Sequence, residues 1–163
     1  MSGKESSKGL EGIVAAKTKL SDVRGLEGEL IYCGYNIDEL AGNVTYEEVV
    51  YLLHHGHLPN ASELSELKAT LADFREIPEA IVELLHKLPQ DTPPMHAIRT
   101  AISALGCFDT AAEDDSMHEQ RRKALRLIAR IPVITAYFHL IRNGKDCPAS
   151  DPSLGEAANF LYL

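Results

Sequence analysis

The feature that most constrains the fold is a helical stretch with no polar side. Between Ile131 and Ile141, residues Val133, Ile134, Ala136, Tyr137, Phe138 and Leu140 point every way round a helix. A helix that is apolar all round is one buried on every face. The stretch is the second half of a longer signal. Ser116 and Glu119 have the spacing of a capping box. From there the pattern runs to Asn143-Gly144, ~28 residues and ~42 Å at 1.5 Å per residue. Pro132 stands inside it and predicts a kink or a division. The first half is two-sided, with Arg122, Arg126 and Arg130 on one side and Ala124, Leu127, Ile128 and Ile131 on another. A chain of 163 residues offers few neighbours to cover such a rod, so the sequence predicts a second subunit or further polypeptide against it.

Shorter helices are punctuated in the same way. Thr45 with Glu48 reads as a capping box ahead of Val49, Val50, Leu52 and Leu53, and Gly56 stops that run. Asn60 with Glu63 repeats the signature before Leu64, Leu67 and Leu71. Pro78 and Pro94 suit first helical positions, where a missing N–H costs nothing, and predict helices over Glu79 to Lys87 and Met95 to Leu105. Ser153 with Glu156 predicts a last helix through Phe160 and Leu161. That helix closes on Phe-Leu-Tyr-Leu with no glycine or basic last turn, which predicts that the fold continues beyond it. Near the start, Ile13 to Ala16 and Glu29 to Tyr32 are β-like runs joined by a link containing Gly25 and Gly28, and predict a small hairpin. The expected organisation is a disordered tail over 1–8, a β element over 9–35 and a helical portion over 36–163.

Composition narrows the function classes. Sixteen basic against 24 acidic side chains leave a formal charge of −8, unsuited to nucleic acid or an anionic membrane. The opening MSGKESSKG is polar and reads as no signal peptide. No run approaches the ~18 to 20 uninterrupted apolar residues of a spanning helix. Cys33, Cys107 and Cys147 are odd in number and in no metal or redox pattern, which fits a reducing cytoplasm.

Three constellations could carry chemistry, and each has a plainer reading. His54, His55 and His57 lack the i, i+4 spacing of helical metal ligands. A polar helix end meeting the C-terminal dipole outweighs metal ligation there. Cys107, with His96 and His118 in sequence reach, lacks a local nucleophile signature and reads, like Cys33 and Cys147, as a small packed thiol. The run Arg121, Arg122, Lys123, Arg126, Arg130 opposes the dipole of the helix it opens, so a solvated face paired with Asp114, Asp115 and Glu119 outweighs an anion cradle. No GxGxxG, Walker, GxSxG or HExxH motif occurs.

Five runs occur in order: GLEGIVAAKTKLSDVRGLEGELIYCGYNIDELA, YEEVVYLLHHGHLP, PMHAIRTAISALGCFD, LIARIPVITAYFHLIRNG and ANFLYL. The ordered set, from Gly9 to Leu163, resembles the amino-terminal part of citrate synthases, including 2-methylcitrate synthases. The resemblance implies a mainly α fold, part of a large helical domain with a small N-terminal β element. It implies an acyltransferase that joins acetyl-CoA to oxaloacetate, with acetyl-CoA as a substrate and no cofactor. The family's LHGGAN and GHR runs do not occur here, so no catalytic, cofactor-binding or metal residue is expected in this chain. Pro94 stands where relatives commonly carry histidine. The resemblance further implies a homodimer or higher oligomer through stacked helices, with Met95, Ile98, Ile102, Leu105, Ile131, Ile134 and Phe138 as the expected interface. The competing expectation is a non-enzymatic helical oligomerisation module derived from that fold.

Overall fold

The computed structural model describes residue 14 and residues 16–163. They form two compact units that divide after Asn43.

In the first unit, β1 (Ser21–Arg24), β2 (Glu29–Tyr32) and β3 (Tyr35–Asn36) make an antiparallel sheet in that order. Ser21 pairs with Tyr32, Arg24 with Glu29, and Tyr32 with Tyr35. The strand opposite β2 is therefore Ser21–Arg24, not the expected Ile13 to Ala16. Val14 and Ala16 lie outside any strand, while Ile13, Ala15 and the predicted tail lie outside the described residues. The loop Gly25-Leu26-Glu27-Gly28 turns the chain, with Gly28 at φ +72°. Between β2 and β3 the turn is Cys33-Gly34, and both residues have positive φ, at +47° and +95°. Such a two-residue turn matches the twist of the strands it joins. Asn36 ends β3 and caps α1 (Ile37–Leu40) with its side chain on the Asp38 amide. That reversal keeps α1 with the sheet, so the unit closes after Asn43 rather than after Tyr35.

The second unit is helical: α2 (Tyr46–His55), α3 (Ala61–Phe74), α4 (Glu79–Lys87), α5 (Pro94–Leu105), α6 (Met117–Arg142) and α7 (Glu156–Tyr162). Of the predicted capping boxes, those at Thr45/Glu48 and Asn60/Glu63 form in full. Gly56 ends α2 in the left-handed region at φ +83°, where a Cβ would be strained. Pro94 is the first residue of α5, whereas Pro78 sits one position earlier, as the cap of α4.

Helix α6 passes through Pro132 as one continuous element. By length and composition it could cross a membrane, although it lacks the uninterrupted apolar run. Packing accounts for its character. Its first half meets Val50, Tyr51, Leu67 and Leu71 of α2 and α3 through Ala129. Its second half meets Ile81 and Leu85 of α4 and Ala97, Ala101 and Leu105 of α5 through Val133, Ile134 and Phe138. The chain thus covers much of the rod by itself. The expectation that a second subunit or further polypeptide covers the rod is corrected for Val133, Ile134, Ala136 and Phe138, all buried here by the chain itself. Two short apolar clusters share one long helix, and small residues at Ala97, Ala101 and Ala129 let the neighbours approach closely enough to do it.

Candidate functional site

The seven residues expected at an interface separate into two groups. Leu105, Ile134 and Phe138 are core residues, 6%, 0% and 3% exposed. They cannot offer surface to a partner, and that part of the expectation is corrected. Met95 is 70% exposed, and Ile98, Ile102 and Ile131 are half-buried. On α5 the first three line an open groove of about 660 Å³ with His96, Arg99 and Ser103. Because α5 buries Ala97, Ala101 and Leu105 inward, the larger side chains Met95, Ile98 and Ile102 are left on the outer stripe.

Four of the five cations in the basic run on α6 are engaged within the fold, while Arg121 is exposed. Lys123 Nζ donates to the carbonyls of Ala112 and Asp114 at 2.7 and 2.8 Å. Arg126 pairs with Asp109 at 3.0 Å and also with Glu119. Arg130 Nε donates to the Phe74 carbonyl at 3.1 Å, and the Arg122 guanidinium stands 5.4 Å from the Phe74 ring centroid. These residues tie α6 to α3 and to the 109–115 loop, and the pairing is less solvated than expected. Ser116 caps the Glu119 amide, but Glu119 gives its carboxylate to Arg126 and Arg122 rather than back to the cap. A cleft of about 270 Å³ between α5 and α6 is lined by Lys123, Arg126 and Arg130. Each of these three cations already has a partner, so the cleft is no anion cradle.

Tyr51 and His55 stack with ring centroids 4.1 Å apart, and His57 stands 6.4 Å from His55. Among the described residues no three His, Cys, Asp or Glu side chains gather to hold a metal. Burial pushes His54 and His55 below the ordinary imidazole range, and the Arg121 charge adds to this. The helix-end dipole, which favours a cation, loses to these two effects. Unfolded imidazoles take up a proton at about 6.5, whereas the folded ones resist until lower pH. Their contribution to stability is therefore full above that value and is lost as pH falls through it toward the folded pKa. Replacing both by asparagine should flatten the fall of the thermal midpoint between about pH 7 and pH 5. An unchanged slope would show that other groups carry the acid sensitivity.

Cys107 is exposed on a turn after α5, and among the described residues no hydrogen bond joins it to His96 or His118. Cys33 and Cys147 are half-buried. The expectation of buried thiols is corrected for all three.

The most enclosed polar cluster escaped the sequence reading. Arg75 and Glu156 are each 3% exposed. Arg75 Nε and Nη2 reach Glu156 Oε1 at 2.9 and 2.8 Å. Nη1 donates to the Asp151 carbonyl at 2.8 Å and Nη2 to the Leu154 carbonyl at 2.7 Å. Glu47, also buried, accepts from the Glu156 amide at 2.7 Å. Gly155 allows this approach, since a Cβ there would lie 2.7 Å from Glu47 Oε1. Burial raises the Glu156 carboxyl, Arg75 opposes that, and Glu47 reinforces it. The predicted Ser153 cap is corrected: Gly155 holds the cap position of α7, and the Ser153 amide and hydroxyl both go to Asp151. The sole local hint was a lone arginine at the end of a helix.

Comparison with known proteins agrees with this architecture. The family model described as citrate synthase, C-terminal domain, matches residues 9–163. The citrate synthase of Haloferax volcanii is 41% identical over 167 residues, spanning 100% of this chain and 44% of that protein. The citrate synthase structure from Pyrobaculum aerophilum is 36% identical with a TM-score of 0.87, over 94% of this chain and 40% of its own. That of the Thermoplasma acidophilum citrate synthase, a ternary complex with carboxymethyl coenzyme A and oxaloacetate, is 28% identical with a TM-score of 0.88, over 98% and 42%. The chain therefore spans less than half the length of these relatives. With the motif order, the helical architecture and the matched span all in accord, the chain belongs to the citrate synthase family.

Proposed function

We propose that this chain is a scaffold portion of a citrate synthase-type acyltransferase, whose whole protein condenses acetyl-CoA with oxaloacetate to give citrate and CoA. The reading rests on the match to well under half of each relative. The condensation needs two kinds of group. The α-proton of a thioester is too weakly acidic for a lone carboxylate, so charge developing on the thioester oxygen must meet a placed donor. Here the buried carboxylates Glu47 and Glu156 are engaged with a helix amide and a guanidinium, and neither is free to act as a base. The whole enzyme would work in the cytoplasm as a homodimer or larger. The outer stripe of α5, Met95, Ile98 and Ile102, would face the second copy, because apolar area of that kind stabilises association when covered.

Thiol release from acetyl-CoA with oxaloacetate tests the proposal. The 163-residue chain should give only the rate of the reagents alone, and turnover by it would place the reacting groups within it. Propionyl-CoA offered in parallel to the whole enzyme separates citrate from 2-methylcitrate synthesis. The exposed α5 stripe favours one other reading, a non-enzymatic oligomerisation module. A coding sequence continuing into an LHGGAN-like run would refute that module.

A further inference from the structure

The end of α6 puts two demands on one dipeptide. To stop, the helix uses a residue in the left-handed region just after its cap. Gly144 supplies it at φ +68°, directly after the cap residue Asn143. The Gly144 amide then donates to the Ile141 carbonyl and the Lys145 amide to the Leu140 carbonyl, each at 3.0 Å. Glycine, with no Cβ, is also the neighbour that least hinders attack on an asparagine side chain. Asn143 is the one asparagine of the sequence that precedes a glycine. Asn36, Asn43, Asn60 and Asn159 precede Ile37, Val44, Ala61 and Phe160. The residue that lets α6 stop therefore also makes its cap chemically vulnerable.

We infer that Asn143 is a site of self-modification, where it cyclises onto Gly144 and loses ammonia, and that the closed α6 cap holds this reaction back. The Gly144 nitrogen gives up its proton to water and attacks Cγ of Asn143. The new N–Cγ bond replaces the Cγ–Nδ2 bond, and Nδ2 takes up a proton and departs as ammonia. Water then opens the five-membered imide at either carbonyl, leaving aspartate or isoaspartate. While the cap is closed, both reacting groups are engaged. The Gly144 N–H is bonded to the Ile141 carbonyl, and Asn143 Nδ2 donates to the His139 carbonyl at 2.7 Å. The second bond folds the side chain back along the helix, away from the amide that follows it. Attack therefore waits on a local opening of the last turn that breaks both bonds. Either product weakens the cap in turn. A carboxylate has no proton to donate to His139, and its charge meets the negative end of the helix dipole. Isoaspartate also adds a methylene to the backbone just before the capping amides.

Peptide mapping by mass spectrometry of the 163-residue chain, held at mildly alkaline pH and sampled over days, is the test. In guanidinium chloride, where no cap forms, conversion of amide to acid should appear first at Asn143 among the asparagines. In the folded chain the Asn143 rate should be at least tenfold lower. Lys145→Pro removes the amide bonded to the Leu140 carbonyl and leaves Asn143 and Gly144 in place. It should raise the folded-state rate at least fivefold and leave the denatured rate within twofold of the parent's. Asn143→Asp, which reproduces one product, should speed hydrogen exchange at the Gly144 and Lys145 amides at least threefold, with α4 and α5 unchanged. Equal rates in folded and denatured parent would overturn the inference, as would earlier conversion at another asparagine in denaturant. So would an unchanged folded rate in a helical Lys145→Pro. Should that variant lose its helical circular dichroism, Asn143→Asp decides, and unaltered exchange at Gly144 and Lys145 refutes the role of the cap.

Discussion

Replacing Ile134 by aspartate will unfold the chain, whatever its state of association. Ile134 is fully buried, among Ile81, Leu85 and Ala101. The substitution forfeits about 1.5–3 kcal/mol of apolar transfer. It also leaves a polar group without a partner in the core, at a cost of about 2–7 kcal/mol even when the carboxyl takes up a proton. Together these approach the roughly 5–15 kcal/mol that holds a typical domain folded. Helical circular dichroism near that of a denatured chain at 25 °C is the expected observation. A cooperative melt close to that of the parent would refute the burial. Ile98→Asp is the matched control on the outer stripe of α5, where the new carboxylate can face water. It should keep the helical signal and lower the mass seen by light scattering, if that stripe meets a second copy. The two variants separate the role of α6 as core from the role of α5 as surface, which sequence periodicity ran together.

How much was legible follows from how far each interaction reaches. The Thr45/Glu48 and Asn60/Glu63 boxes are complete within four residues, so a local pattern suffices to find them. At Ser116 the same pattern holds only halfway, because Arg126, a side chain of the folded helix, claims Glu119. At Ser153 it misleads altogether. Asp151 takes the serine, and Glu47, 109 residues away, receives the amide of the helix start. No local rule could anticipate that. The Cys33-Gly34 turn hid for another reason: cysteine seldom accepts positive φ, so the pair does not look like a turn and the strand Tyr35–Asn36 goes unseen. For α6, residue types alone indicated full burial. They could not say which neighbours supply it, and small residues at Ala97, Ala101 and Ala129 proved sufficient for this chain to supply much of it.

Phe138→Ala should lower the stability of the chain by about 3–5 kcal/mol, the range for removing an aromatic ring from a packed site. At about 2–4 °C per kcal/mol for a chain of this size, the thermal midpoint falls by about 6–20 °C. The ring is 3% exposed, packs in the α4–α5–α6 cluster and carries the Arg142 guanidinium 5.5 Å from its centroid. Alanine therefore leaves both a void and a cation without its aromatic face. Leu140→Ala, at a half-buried position on the same helix, should cost markedly less. Protein concentration distinguishes the cause. A residue covered by a partner subunit loses its contribution as the oligomer dissociates, so its substitution matters less in dilute solution. Phe138 is covered by Ile81, Leu85 and their neighbours in the same chain, so the drop between parent and variant should be the same at every concentration. A drop that shrinks on dilution would return Phe138 to an interface and undo the division between α5 as surface and α6 as core.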